Sequence, residues 1–300
     1  MDQILPLELV RVTEDAAIAA SKWVGCGDKN AADQAAVNAM RNRLNALDVS
    51  GTVVIGEGEK DEAPMLYIGE KLGKGKNELD IAVDPLECTT YCARGYGGSM
   101  TVIATAPRGA LYATKTHYME KIAVSPLIGN SVSLENSVTE NIQVMSEKLN
   151  KPQNEITIAL LNRPRNEKMI RELRALKCRL VLFEHGDVAH AIQTCLTNSG
   201  VDALMGIGGA TEGVLAACAI KAYGGYIECK PYESNDQKIY SIDELAQGDD
   251  ICFAATGVTH GSILKGVTYD SNYVYTSSIV TRVKSKTIRY INTQHENSTK

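Results

Sequence analysis

Three groups of carboxylates stand at the ends of apolar runs. Glu57, Glu59, Asp61 and Glu62 follow TVVIG in the stretch GEGEKDE. Asp84 and Glu87 follow LDIAV in DPLECTT, with Cys88, Thr89 and Thr90 beside them. Glu212 comes directly after LMGIGGAT, where a helical pattern opens. Carboxylates projected from strand and helix ends converge at one rim of an α/β sheet, where such proteins place their chemistry. Grouped in that way, they repel one another unless cations neutralise them. An all-oxygen set suits Mg2+ or Mn2+ rather than zinc. Two ions held by carboxylates usually serve phosphoryl chemistry.

Each group also has an ordinary use. GEGEKDE alone reads as a solvated loop, and Asp33, within a helical pattern, as a solvated face residue. Glu212 complements a helix dipole, with Thr211 as N-cap. Asp84 stands apart because it ends a strand and precedes Pro85, whose missing N–H makes it a strand terminator.

A phosphate also needs cations. NRPRNE supplies Arg163 and Arg165. A residue before proline is biased to extended backbone, where alternate side chains share a face. The spacing lets the two guanidinium groups point the same way and grip one phosphate, and the ordinary alternative is two exposed arginines. Lys29, in GCGDKNAADQ, suits a phosphate or an ion pair with nearby Asp33.

These side chains need a frame. LELVRVTEDAAIAASKWVG and NAADQAAVNAMRNRLNAL have helical spacing. TVVIG and LDIAVD read as strands, APMLYIGEKLG as a helix, and GSMTVIATA, GALYAT and YMEKIAVS as strands joined by short turns. From EITIALL to TEGVLAACAIKAYGG, strand and helix alternate, the pattern of an open α/β layer. DICFAATGV to VYTSSIVTRV is strand-rich again, residues 228–250 read as loop-rich, and the last ten residues read as frayed. A boundary near residue 150 divides a metal-binding α+β half, 1–150, from an α/β substrate-binding half, 151–300.

The 300 residues are 44% hydrophobic and 22% charged, ample for a sizeable core. A net charge of −5 speaks against nucleic-acid or anionic-membrane partners. No apolar run is long enough for a membrane span. The N-terminus lacks the pattern of a signal peptide, and the eight cysteines form no C-x-x-C pair. The reading is a cytoplasmic protein with reduced thiols.

GDKNAAD, IGEGEKDEAPMLYIGEKLG, AVDPLE, NRPRNE and MGIGGATEGVLAA occur in this order. Together they strongly resemble class II fructose-1,6-bisphosphatases, among the metal-dependent, lithium-sensitive sugar and inositol phosphatases. The resemblance runs from about Leu7 to about Val280. It implies an α/β class with a layered α-β-α-β-α sugar-phosphatase fold of two packed α/β halves. The implied activity is hydrolysis of the 1-phosphate of fructose 1,6-bisphosphate to fructose 6-phosphate, with sedoheptulose 1,7-bisphosphate as a further substrate. Two or more Mn2+ or Mg2+ ions are implied, held by Asp33, Glu57, Asp84, the Leu86 carbonyl, Glu87 and Glu212. Asp61 and Thr89 are implied to orient and deprotonate the attacking water, with Lys29 near the reacting phosphate. The implied substrate contacts are Glu87, Cys88, Thr89, Tyr118, Arg163, Pro164, Arg165, His185, Gly186, Asp187 and Gly209. A homodimer or homotetramer is implied, with a small sugar bisphosphate as its partner. Two other readings are a phosphatase for another small phosphate, such as an inositol phosphate, and a catalytically weak sugar-phosphate-binding relative.

The chain also departs from the pattern. Relatives have glycine where Cys88 stands, and often aspartate where His185 stands. After GVT they often read Asp-Gly-Asp, whereas here His260 and Ser262 occupy that stretch. A cysteine at position 88 fits the turn if its φ is negative. Its thiol then lies beside the carboxylates, and oxidation with Cys92 becomes conceivable.

Overall fold

The computed structural model describes residues 4–58 and 65–297. The chain forms two compact units, residues 1–113 with 248–300, and residues 114–247. This division differs from a single boundary near residue 150. The last strands return to pair with early ones, a connection that linear reading does not reveal.

In chain order the first unit begins with α1 (Leu5–Ser21), α2 (Lys29–Leu44), β1 (Ser50–Ile55), β2 (Lys71–Leu72), β3 (Glu78–Glu87), α3 (Thr89–Arg94) and β4 (Met100–Pro107). The second unit holds β5 (Tyr118–Val124), α4 (Val138–Leu149), β6 (Thr157–Leu161), α5 (Glu167–Ala175), β7 (Arg179–Phe183) and α6 (Val188–Thr194). It continues with β8 (Ala203–Gly209), α7 (Ala210–Lys221), β9 (Tyr226–Pro231), β10 (Tyr240–Ser241) and α8 (Ile242–Leu245). The chain then re-enters the first unit with β11 (Cys252–Gly257), β12 (Thr268–Tyr269), β13 (Tyr273–Arg282) and β14 (Thr287–Glu296).

The first unit's sheet runs β12-β13-β11-β4-β3-β1-β2, with β14 on β13. Only the β1–β3 pair in it is parallel among the described residues. α1 carries Leu9, Val12, Ala16 and Ala20 fully buried at helical spacing. α2 does the same with Ala32, Ala36, Met40 and Leu44, and Asp28 caps it by accepting from the Ala31 N–H at 2.9 Å. Burying a Leu or Met side chain contributes roughly 1.5–3 kcal/mol. Buried hydroxyls need partners, and here they lie in a chain. Thr13 Oγ1 meets Thr256 Oγ1 at 2.7 Å, Thr256 Oγ1 meets Ser278 Oγ at 2.8 Å, and Thr101 donates to the Thr13 carbonyl at 2.8 Å. That chain ties α1 to β4, β11 and β13.

The second unit's sheet runs β10-β9-β5-β8-β6-β7. Its β6-α5-β7-α6-β8-α7 order is the alternation the sequence predicts. β6 is buried throughout, as a strand covered on both faces must be. α5 turns Ile170 and Leu173 inward and exposes Glu167, Lys168 and Arg171. The fold is thus of the α/β class, with eight α-helices and two sheets among the described residues.

Three local readings change. The described part of APMLYIGEKLG is turn and short strand rather than helix. Leu66 sits at φ 55 while its side chain is fully buried, and its N–H is taken by the Glu70 carboxylate. A left-handed residue cannot continue a right-handed helix. GALYAT is a turn with an isolated bridge at Leu111. The buried Asp80 carboxylate accepts from Gly109 N at 2.8 Å and Leu111 N at 3.1 Å, which diverts those donors from a ladder. Of the last ten residues, 291–296 are not frayed but belong to β14, paired along its length with β13, and 298–300 lie outside the described residues.

Candidate active site

In the first unit, Asp33 lies on α2 and Glu57 just beyond β1. Burial raises the Asp33 carboxyl above its ordinary range. Burial, and then the charge of Asp33, pushes Glu57 up to about 7. The two carboxylates are therefore electrostatic neighbours, each made costly by burial. Lys29 is exposed at the first residue of α2.

β3 does not stop at Pro85. It runs on to Glu87 with one irregularity, where Asp84 pairs with Val102 and Glu87 with Met100. Three steps on β3 thus match two on β4, so one extra residue is bulged out. Pro85, which has no N–H to lend the ladder, falls inside the bulge. Residues three apart in a regular strand face opposite ways. The extra residue cancels that difference and turns Asp84 and Glu87 to the same face. Asp84 Oδ1 accepts from Leu86 N at 3.1 Å, and Glu87 is buried.

Cys88 follows at φ 64, ψ 43, in the left-handed region. The condition of a negative φ is therefore not met, and cysteine holds the turn in the conformation that glycine favours. Its carbonyl accepts from Tyr91 N at 2.8 Å and Ser99 Oγ at 2.8 Å, which locks the turn. Thr89 opens α3 and donates its hydroxyl to the Leu86 carbonyl at 2.8 Å. Cys92 is fully buried. Burial, helped by Cys26, pushes its thiol up to about 11, and its Sγ lies 3.7 Å from the Ala20 carbonyl. Asp61 lies outside the described residues. Among the described residues, no three His, Cys, Asp or Glu side chains are gathered as a ready metal cage. The donor chemistry nonetheless fits a hard divalent ion. Asp33 with Glu57, and Asp84 with Glu87, are oxygen pairs that a cation would relieve.

In the second unit, NRPRNE is not extended throughout. Arg163 has extended backbone, but Pro164–Asn166 is a turn of 3-10 helix. The two arginines therefore do not share a face by strand alternation. Arg163 turns to the β7 end, where Nη2 donates to the Glu184 carbonyl at 2.5 Å and lies 3.4 Å from the His185 ring. Arg165 turns to β8, donating Nε to the Ile207 carbonyl at 3.0 Å. Its guanidinium stacks 4.2 Å over the ring of Tyr118, which is 42% exposed. That contact places a planar fork over the face of a half-exposed ring.

Gly186, at φ 70, leads into Asp187, which precedes α6. Asp187 is buried against the Lys121 ammonium at 2.5 Å. Burial opposes the charge on Lys121, but Asp187, Glu212 and Cys229 outweigh it and hold the ammonium above its ordinary range. Gly209, not Thr211, is the N-cap of α7. A Cβ on Gly209 would lie 1.9 Å from Glu212 Oε2, so glycine lets this carboxylate fold back over the helix start. Thr211 instead donates to Glu212 Oε2 at 2.7 Å.

Residues 3–295 match the family described as "Bacterial fructose-1,6-bisphosphatase, glpX-encoded". The chain belongs to this bacterial fructose-1,6-bisphosphatase family. It is 39% identical over 335 residues to the D-fructose 1,6-bisphosphatase class 2/sedoheptulose 1,7-bisphosphatase of Thermosynechococcus vestitus, covering 98% of this chain and 96% of that one. The protein of the same name from Synechocystis is 39% identical over 334 residues, covering 98% and 97%. The solved inositol monophosphatase from Anabaena aligns at a TM-score of 0.34 and 15% identity, over 63% of this chain and 71% of that one, a likeness too loose to argue from. As a member of the bisphosphatase family, the chain is a phosphoric monoester hydrolase.

Two bisphosphatase residues escaped the sequence reading. Asn166 is buried and triply bonded. Its Nδ2 donates to the carbonyls of Leu161 and Ile207, and its Oδ1 accepts from Ile207 N at 2.7 Å. It thereby pins the arginine turn to β6 and β8. Lys121 shares the face of Met119 and Ala123 on β5, both fully buried. A lysine in register with buried apolar residues was the available signal.

Proposed function

We propose that the chain hydrolyses the 1-phosphate of fructose 1,6-bisphosphate to fructose 6-phosphate, and acts likewise on sedoheptulose 1,7-bisphosphate. The observation that carries this reading is the end of β3. There a bulge turns Asp84 and Glu87 to one face, with the Leu86 carbonyl and Thr89 hydroxyl in the next turn. Asp33, Glu57, Asp84, the Leu86 carbonyl, Glu87 and Glu212 would hold Mn2+ or Mg2+. Bound there, such ions supply charge to the phosphoryl oxygens and lower the pKa of water.

The chain's own residues do the rest. Thr89 spends its proton on Leu86, so its oxygen offers only lone pairs and accepts from the attacking water. Asp61 takes the water's proton as general base. Lys29, exposed at the start of α2, places a cation at the reacting phosphate. Arg165, held over Tyr118, binds the distal phosphate, and Arg163 adds a second cation beside His185. Holding that phosphate orients the reacting one. Asp187 accepts a sugar hydroxyl. No described helix is long and apolar enough to cross a membrane. The working enzyme is a cytoplasmic homodimer or homotetramer in this reading.

Phosphate release from fructose 1,6-bisphosphate, sedoheptulose 1,7-bisphosphate and inositol 1-phosphate, each with added Mn2+, tests the proposal. Turnover of the two sugar bisphosphates above the inositol phosphate is expected. The reverse order would overturn it.

A further inference from the structure

We propose that Lys121 is a positioning residue for this reaction: its buried ammonium fixes the Asp187 carboxylate so that Oδ1 stays available to a sugar hydroxyl. The inference rests on the reading of Asp187 as a substrate contact. Lysine is almost never fully buried unless paired, yet the Lys121 side chain is only 1% exposed in the middle of β5. Its Nζ donates to Asp187 Oδ2 at 2.5 Å. The other oxygen, Oδ1, is buried and has no hydrogen-bond partner among the described residues. Leaving a buried carboxylate oxygen without a donor is costly, and folds seldom tolerate it without a use.

The surrounding backbone is cut to fit this pair. A Cβ on Gly208 would lie 2.2 Å from Asp187 Oδ2 and 3.0 Å from Lys121 Nζ. A Cβ on Gly213 would lie 3.1 Å from Cys229 Sγ and 3.5 Å from Lys121 Cε. Gly208 thus leaves room for the contact of Lys121 with Asp187, while Gly213 leaves room for the Cys229 thiol beside the lysine stem. If filling space were the aim, apolar residues of similar volume would do it without the desolvation cost of two buried charges. A pair kept only for stability would satisfy both carboxylate oxygens. This one satisfies one and leaves the other buried without a donor, a place that a sugar hydroxyl would fill.

The test is a double-mutant cycle of Lys121→Met and Asp187→Asn in the full chain with Mn2+, read as KM and kcat on fructose 1,6-bisphosphate and on p-nitrophenyl phosphate. Asp187→Asn is expected to raise KM for the bisphosphate by about ten- to a hundredfold, the worth of one charge-assisted hydrogen bond. Lys121→Met is expected to raise KM to a similar degree, with a much smaller change in kcat and a much smaller loss on p-nitrophenyl phosphate. Added to Asp187→Asn, it is expected to shift KM by less than about twofold, because it acts through Asp187. That comparison decides the matter even if Lys121→Met alone does not fold, since the double variant buries a neutral pair. A further tenfold loss in the Asp187→Asn background would overturn the proposal. So would a fall in kcat at constant KM, or an Asp187→Asn enzyme with wild-type KM. A wild type that turns over a different sugar phosphate would refute the substrate reading alone, and the same cycle on that compound would still decide the role of Lys121.

Discussion

Cys88→Gly should stabilise the protein and leave it at least as active. Cys88 holds φ 64, ψ 43, between the buried Glu87 and the first residue of α3. A side chain in the left-handed region costs about 1–2 kcal/mol, because its Cβ crowds the following carbonyl. Glycine escapes that cost but gives up about 0.4–1 kcal/mol through the greater freedom of its unfolded chain. The net gain is about 0.5–1 kcal/mol, or roughly 1–3 °C in Tm for a chain of this size. The hydrogen bonds that fix the turn run to the backbone carbonyl of residue 88 and survive the change. Cys88→Ala is the control. It keeps the Cβ and loses only the sulfur, so its Tm should stay near that of the wild type. Thermal melts followed by circular dichroism, alongside phosphate release, measure both effects. A Cys88→Gly protein melting below both the wild type and Cys88→Ala would refute the argument from strain. A drop for both variants would instead show that the sulfur makes a contact worth more than the strain.

Further outcomes are expected. Chelation should abolish phosphate release and added Mn2+ restore it, and full turnover in excess EDTA would remove the metal from the reaction. Asp84→Ala and Glu212→Ala should each cut kcat by orders of magnitude with near-native melting, and a fully active Glu212→Ala would unseat it as a ligand. Arg165→Ala should weaken a bisphosphate far more than a matching monophosphate, by roughly 1.5–3 kcal/mol for a lost charged bond, and an equal loss on both would place Arg165 away from the distal phosphate. Glu57 has a folded pKa of about 7, above the ordinary 4.5, so the folded protein holds a proton that the unfolded chain has released. Its contribution to stability is therefore greatest below about pH 4.5 and is lost as pH rises to 7 and beyond, by about 3 kcal/mol. The metal-free protein should melt lower at pH 8 than at pH 6, and Glu57→Gln or added Mn2+ should flatten that dependence. A metal-free melt independent of pH would contradict the burial of Glu57 beside Asp33.

Much of the fold was legible because its signals are local. The helical spacing of Leu9, Val12, Ala16 and Ala20 needs only α1 to be read. The alternation from β6 to α7 is likewise carried by periods of 2 and 3.6 along short windows. Where a distant group sets the backbone, the sequence misled. Glu70 draws Leu66 into a left-handed turn where the apolar spacing suggested a helix, and Asp80 takes the donors of Gly109 and Leu111 where a strand was expected. The arginine pair failed for a similar reason. Proline does favour extended backbone at Arg163, but Asn166, bonded across to β6 and β8, curls the next residues into a 3-10 turn. Alternation then no longer governs where Arg165 points.

The end of β3 shows why identities were readable and geometry was not. Asp84 and Glu87 are plain in DPLECTT, yet strand parity alone sets them on opposite faces, where one cation could not meet both. Pro85 suggested that the strand simply stopped. What the chain does instead is keep pairing with β4 and spend one residue on a bulge. The proline, unable to donate, costs least at the one step where the ladder is already broken, and the bulge restores both carboxylates to one face. The cost reappears one residue past Glu87, where the chain must turn sharply into α3 and Cys88 takes up the left-handed conformation. Bulge, turn and strain are thus parts of one solution to placing two carboxylates, a carbonyl and a hydroxyl within six residues. An insertion or deletion in β3 before Asp84 would leave the local motif intact and shift its register against β4. The motif would then read the same and no longer present its carboxylates together.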